Sequence, residues 1–592
     1  MMDFTKYFAA RLRALGTPQV APIPGSAQVP NSGGGFAWAV DHWARLDRFL
    51  VLGTEGGTYY VAERELTVEN ATAVADCLAE DGPRVVRRIV EISEAGRAPR
   101  NDPALFALAM AAGLGDPATR AAALDALPRV ARTGTHLLHW LQYAKAFRGW
   151  GRGVRRAVGR WYTARPAREL AYQLLKYPQR DGWSHRDALR LAHPRPADAE
   201  QGALLARAVT GALPPEAPDT EAVRLVRAVA ELHADAQIEP RRAAEWVRAH
   251  RLTREMVPTH LLAHAVVWEA LLESMPLTAL VRNLATLTRV GVLAPGSDAA
   301  TAVAGRITDA EALRRARVHP VQLLSALRTY AGGRGVRGSG AWQPVGRVVD
   351  ALDAAFYLAF GAVEPSGRRT MLALDVSGSM MVPVHGLAGV SCREASAAMA
   401  LVTAATEPRH FFTAFTAGVY PSMHAHYPSG LSTLSISPRQ RLDDVLARTA
   451  ALTFGGTDCA LPMVEARKQG WKVDVFVIYT DSETWAGSIH PSQALRQYRE
   501  ATGIAAKLVV VAMASNGFTI ADPDDAGMLD VVGFDAATPA LIADFARLAA
   551  RSGARAPGRA RPPGDARPEI VQSTLDRPGA GPFRTRTRWP AP

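Results

Sequence analysis

The sequence predicts two domains of different class, an all-α array followed by a doubly wound α/β sheet. Three observations carry this. The chain has 592 residues, too many for one hydrophobic core. From about residue 65 to 360, apolar residues recur at helical spacing. Beyond about residue 365, short and almost wholly apolar runs alternate with helical segments, the pattern of a parallel sheet covered on both faces.

Taken in order, residues 1–36 read as an irregular N-terminal segment. It begins with MMDFTKYFAARLRALG, whose charges run through its apolar positions, so it is amphipathic rather than a signal-peptide core. GTPQVAPIPGSAQVPNSGGGF (16–36) is rich in Pro, Gly and Ser. Residues 37–364 form the helical domain, in segments such as ATAVADCLAEDGPRVVRRIVEI, PALFALAMAAGL, TREMVPTHLLAHAVVWEALLESM and EALRRARVHPVQLLSALRTYA. Pro and Gly punctuate them every 15–20 residues or so, and no strand is predicted here. Helix pairs without a strict repeat suggest an irregular α-solenoid of the HEAT kind, with a plain helical bundle as the alternative. Residues 365–550 form the α/β domain. Its predicted strands are RTMLALDV (369–376), RHFFTAFT (409–416), DVFVIYTD (474–481) and AKLVVVAM (506–513). CREASAAMALVTAAT, PRQRLDDVLARTA, LPMVEARKQ and PSQALRQYREATG lie between them as helices. The remainder, 551–592, carries nine arginines and three acids broken by Pro and Gly, and is predicted to be disordered.

The net charge is +12 and only six lysines occur, so the basic character is arginine. Arginine forks match phosphates bidentately, which makes a polyanion partner one reading and genome composition the other. The three cysteines are scattered without a CxxC, which argues against a disulfide framework and a zinc site. No apolar run reaches membrane-spanning length, so no membrane partner is expected and the cytoplasm is the predicted compartment.

In LALDVSGSMM (372–381) an apolar strand ends at Asp375, and Ser377 and Ser379 follow at alternate positions. FGGTDCALP supplies Thr457, and IYTDSET places Asp481 at the end of another strand. Two carboxylates and three hydroxyls, with no histidine or cysteine, suit a hard cation such as Mg²⁺, or Mn²⁺. The competing reading is a capped helix start. A phosphotransferase using Asp375 as nucleophile would want an acid two residues on, where Ser377 stands. No histidine or lysine in the motif could activate a water, so no catalytic residue is predicted. The combination resembles the metal-ion-dependent adhesion site of von Willebrand factor type A domains.

FLVLGTEGGTYYVAERELT (49–67), DGWSHRDALRLAH (181–193), MPLTALVRNL (275–284), ALDAAFYLAFGAVEPSGRR (351–369) and SNGFTIADPDDAGMLDVVGFD (515–535) resemble the Ro autoantigen family. Over about residues 36–545 the chain is identified as a bacterial member. The resemblance implies a TROVE module, a ring of HEAT-like repeats, closed by a von Willebrand factor A domain. It implies that small noncoding Y RNAs bind the outer surface and that single-stranded ends of misfolded RNAs enter the hole. It also links the chain to exoribonucleases and RNA quality control, and leaves an acidic ligand to complete the metal shell. Within WGRGVRRAVGRWY, Arg152, Arg155, Arg156 and Arg160 fall along one helical stripe, and LLKYPQRDGWSHR adds Lys176, Arg180, His185 and Arg186. The resemblance puts an RNA role on the DGWSH segment, with His185 its strongest candidate. Arg282 is a candidate for the hole. The scarcity of lysine departs from vertebrate relatives and puts individual phosphate contacts in doubt. The rival function is a von Willebrand-type protein-interaction or chaperone module that binds no RNA.

Overall fold

The computed structural model describes residues 16–53, 71–147, 149–335, 340–361, 363–383, 390–417, 430–452, 455–514, 516–533 and 535–548. The arginine-rich segment 551–592 and the amphipathic start lie outside them. The described residues carry 22 α-helices and eleven strands within one compact unit.

The helical part opens with α1 (His42–Leu52), α2 (Thr72–Ala95), α3 (Asp102–Leu114), α4 (Pro117–Val130) and α5 (Gly134–Phe147). Then come α6 (Arg152–Thr163), α7 (Ala167–Lys176), α8 (His185–Ala192), α9 (Ala199–Thr210), α10 (Glu221–Ala234) and α11 (Pro240–His250). It continues through α12 (Ala265–Ser274), α13 (Leu277–Arg289), α14 (Asp298–Ile307), α15 (Ala310–Arg315), α16 (Pro320–Ala331) and α17 (Gly346–Leu358). They pack mainly on helices one to three places away in the chain. Within α3, DPALFALAMAAGL is apolar on every side, and residues 103–113 are all buried between α2, α4 and α5. In α2 the Asp-Gly-Pro run leaves Asp81 in a non-helical conformation (φ −149°, ψ 81°), because Pro83 blocks the preceding turn.

The array returns on itself. The His319 side chain caps α16 and its Nε2 meets the Arg97 carbonyl at 2.9 Å, while Gln322 Nε2 donates to the Pro99 carbonyl at 2.5 Å. Arg97 in turn grips the buried Asp535 of the α/β part, its Nε donating to both carboxylate oxygens at 3.1 and 2.9 Å.

The α/β part holds a six-stranded sheet made of β5 (Thr370–Asp375), β6 (His410–Phe415), β7 (Leu431–Leu434), β8 (Val475–Thr480), β9 (Lys507–Ala512) and β11 (Met528–Val532). Its order is β11-β9-β8-β5-β6-β7, parallel except for β7. All residues of β5, β8 and β9 are buried, which is why they read as unbroken apolar runs. The helices α18 (Cys392–Thr406), α19 (Leu442–Ala450), α20 (Leu461–Lys468), α21 (Pro491–Thr502) and α22 (Thr538–Arg547) complete it. From β5 the chain first builds outward to β6 and β7, then crosses back to place β8 on the other side of β5. The carboxyl ends of β5 and β8 therefore flank the switch point, where such sheets bind ligands.

Two sequence expectations need correction. Residues 28–39 are not irregular: β1 (Gln28–Pro30) and β2 (Phe36–Ala39) pair antiparallel, and β10 (Phe518–Thr519) adds to β2. The strap from residue 16 to 39 lies on the α/β part, where Gln19 bonds Asp458, the Ile489 carbonyl and the Gly487 amide. Nor is the helical part free of strands. Gln179–Arg180 and Trp183–Ser184 (β3 and β4) form a hairpin whose two-residue turn has Asp181 at φ 51° and Gly182 at φ 76°. Asp-Gly is the pair such a turn favours, so the signal was present in the sequence.

Candidate metal site and basic groove

Strand β5 delivers Asp375 to the switch point, and the turn after it brings Ser377 and Ser379 back beneath the same point. The Ser377 amide donates to Asp375 Oδ1 at 2.9 Å, and the two serine hydroxyls lie 3.0 Å apart. Strand β8 ends one residue before Asp481, and Thr480 Oγ1 donates to Asp375 Oδ2 at 2.6 Å. Thr457 comes from the loop before α20, where Gly456 lets the Trp485 ring pack close: a Cβ there would meet it at 2.8 Å. All five predicted residues are buried.

Two carboxylates at one buried point are electrostatically costly. Burial raises both above the usual carboxylate range, and Asp481, facing Asp375 as well, is pushed up to about 7. The buried Arg393 gives partial relief; its charge favours ionised Asp375, although its own hydrogen bonds go to the Val376 and Leu452 carbonyls. Thr457 Oγ1 and Asp481 Oδ2 are buried without a hydrogen-bond partner among the described residues. Buried polar atoms are normally satisfied, so these two are free to accept or meet a further ligand. Among the described residues no group of three or more His, Cys, Asp or Glu could hold a metal. This set reaches five oxygens through hydroxyls instead, and it fits a hard cation such as Mg²⁺. Sequence reasoning missed the supporting residues: Thr480, Arg393, and Asp458, which accepts from the Gln19 side chain and the Ala460 amide.

On α6, Val154, Ala157, Val158, Trp161 and Tyr162 face the core, which leaves Arg152, Arg155, Arg156 and Arg160 exposed on the other side. The predicted stripe is real. It lines a groove of about 590 Å³ with His193 and Arg195, which sequence reasoning did not single out. Among the described residues, Arg152, Arg155, Arg156 and Arg195 make no ion pair, whereas Arg160 meets Asp125 at 2.8 Å. Lys176, Arg180 and Arg186 do not line this groove. Lys176 is half-buried on the Tyr172 hydroxyl at 2.8 Å, Arg180 bonds His139 at 3.2 Å, and Arg186 is exposed. Arg282 lines a separate groove of about 510 Å³ with Arg100, Gln322 and Tyr330.

His185 does not present itself to a ligand; the structure corrects that expectation. It is only 3 % exposed, its Nδ1 lies 2.8 Å from the Tyr162 hydroxyl, and Trp161 stacks 6.3 Å away. The reason is helical phase. Ser184 caps α8 in a capping box with Asp187, so the helix starts at His185 and buries 185, 188, 189 and 192 together. Burial lowers the imidazole to about 4, so it is neutral at pH 7.

The chain matches the model of the TROVE domain over residues 29–220 and 226–329, and that of the Ro60 vWA domain over 369–546. It is 44% identical to the RNA-binding protein RO60 of Deinococcus radiodurans, over 90% of this chain and 98% of that one. To the protein of the same name from Caenorhabditis elegans it is 37% identical, over 88% and 90%. The crystal structure of the Deinococcus radiodurans RO (RSR) protein superposes with a TM-score of 0.65, covering 86% of this chain and 99% of that one. With both domain models matched in order and relatives this similar along nearly their whole length, the chain belongs to the Ro60 family.

Proposed function

We propose that the chain is an RNA-binding ribonucleoprotein scaffold. Its basic groove takes structured small RNAs of the Y type. Its helical array also takes single-stranded ends of misfolded RNAs, in cytoplasmic RNA quality control or processing beside an exoribonuclease. The observation that carries this reading is the groove on α6, lined by five arginines, four of them without an ion pair among the described residues. Clustered guanidinium groups repel one another unless an anion lies between them, and their forks fit phosphate oxygens. Relatives called RNA-binding proteins support the same reading. Each phosphate neutralised releases counterions, so affinity should fall steeply with salt. In filter binding with a small structured RNA, changing Arg155 and Arg156 together to Ala should weaken binding. It should also flatten the slope of log K against log salt by up to about 2. Wild-type affinity in that double variant across the salt series would remove the groove from the reading. No RNA retained by the wild type would leave a protein-interaction module.

The oxygen cluster is, in this reading, a binding site for Mg²⁺ or Mn²⁺ rather than a catalytic centre. Asp375, Ser377, Ser379, Thr457 and Asp481 hold the cation, which supplies an electrophilic point for an acidic ligand. Titrating Mg²⁺ into chelator-treated protein should raise Tm by a few degrees through mass action. Asp481→Ala should abolish the rise and leave RNA affinity at the basic groove intact. RNA cleavage that requires Asp375 would overturn the non-enzymatic assignment.

A further inference from the structure

The metal site is tied to the first helix of the array by one side chain. Asn516 donates from Nδ2 to the Asp481 carbonyl, and its Oδ1 accepts from Arg48 Nη1 at 3.1 Å. Arg48 can only donate, which fixes the orientation of the amide. Arg48 belongs to α1, yet it is 1 % exposed and committed to the α/β part: Nη1 donates to the Asn516 and Phe518 carbonyls at 2.8 and 2.9 Å, and Nη2 to Asp530 at 2.6 Å. Asn516 also supports Glu483, whose Oε2 takes the Gly33 amide at 2.9 Å. The Asn31 side chain bonds the Thr484 carbonyl at 2.8 Å. The loop 481–484 is thus pinned on one side by α1 and on the other by the N-terminal strap.

We propose that Asn516 is a positioning residue that couples occupancy of the metal site to the order of α1 and the strap. A cation drawing Asp481 into its shell fixes the main chain that Asn516 grips, and Asn516 passes that constraint to Arg48. The coupling is reciprocal, so an intact relay must also tighten metal binding. This rests on the metal reading given above.

The test uses the full chain. Mn²⁺ binding is measured by electron paramagnetic resonance, and amide hydrogen exchange is followed at 31–52 with and without Mg²⁺, in wild type and Asn516→Ala. Mg²⁺ should slow exchange in α1 and the strap of the wild type. Asn516→Ala should still bind Mn²⁺, about five-fold or more weakly, and lose the Mg²⁺-dependent protection of α1. Equal protection in the variant overturns the proposal. So does a wild type that binds Mn²⁺ with no change at α1, an outcome readable even if the variant fails to fold and one that leaves the metal site standing. Absence of Mn²⁺ binding overturns both.

Discussion

His185 stands at the first position of its helix with its ring in the core, so removing it tests packing and not ligand contact. Its folded-state value of about 4 lies below the ordinary 6.5, so the unfolded chain takes up the proton first. Stability from this group is complete above about pH 6.5 and is lost as pH falls towards 4, by at most about 3 kcal/mol. His185→Gln should therefore show a smaller drop in Tm between pH 7 and pH 5 than the wild type; an equal drop would remove His185 from the acid response. The inward ring was legible in principle, since 185, 188, 189 and 192 share one helical face. The cluster of Asp375, Ser377, Ser379 and Asp481 was legible because each sits at a fixed offset from a strand end, while Thr457, in the loop before α20, was marked by the two glycines before it. Asn516 and Arg48 were not, because nothing local marks a bond across 468 residues of sequence.

At the level of elements, the strands buried on both faces announced themselves as apolar runs, and α18, α20 and α21 began where the sequence put them. Short strands did not. β1 and β2 have three and four residues among Pro, Gly and Ser, and they are strands only because the α/β part receives them. Gly35 shows how tight that reception is: a Cβ there would stand 2.0 Å from the Thr484 carbonyl oxygen. Backbone cannot yield that much, so Gly35→Ala should lift the strap. Limited proteolysis would detect it as faster cleavage within 16–39, with the helical array left intact; unchanged cleavage would show that the strap docks without this contact.

For the molecule as a whole, polar contacts at the closure add to an apolar core that runs without a break from the helical array into the α/β part. Arg97 pairs with Asp535, which is almost fully buried, and its carbonyl receives His319. Arg97→Ala would strand the Asp535 carboxylate in the interior, at a cost of about 3–5 kcal/mol. The expected result is a lowered Tm that Asp535→Asn in the same chain partly restores; a double variant as unstable as the sum of the two would refute the pairing. No periodicity could announce this closure, since the partners meet only after the array has turned. The strap carries a related consequence for biosynthesis. β2 finds its partner β10 only once Phe518 has been made, 479 residues after Ala39. At about 5–20 residues per second, the ribosome takes roughly half a minute to a minute and a half to span that gap. For that interval the β1–β2 pair has no third strand beside it, and it is the stretch a chaperone or protease would meet first.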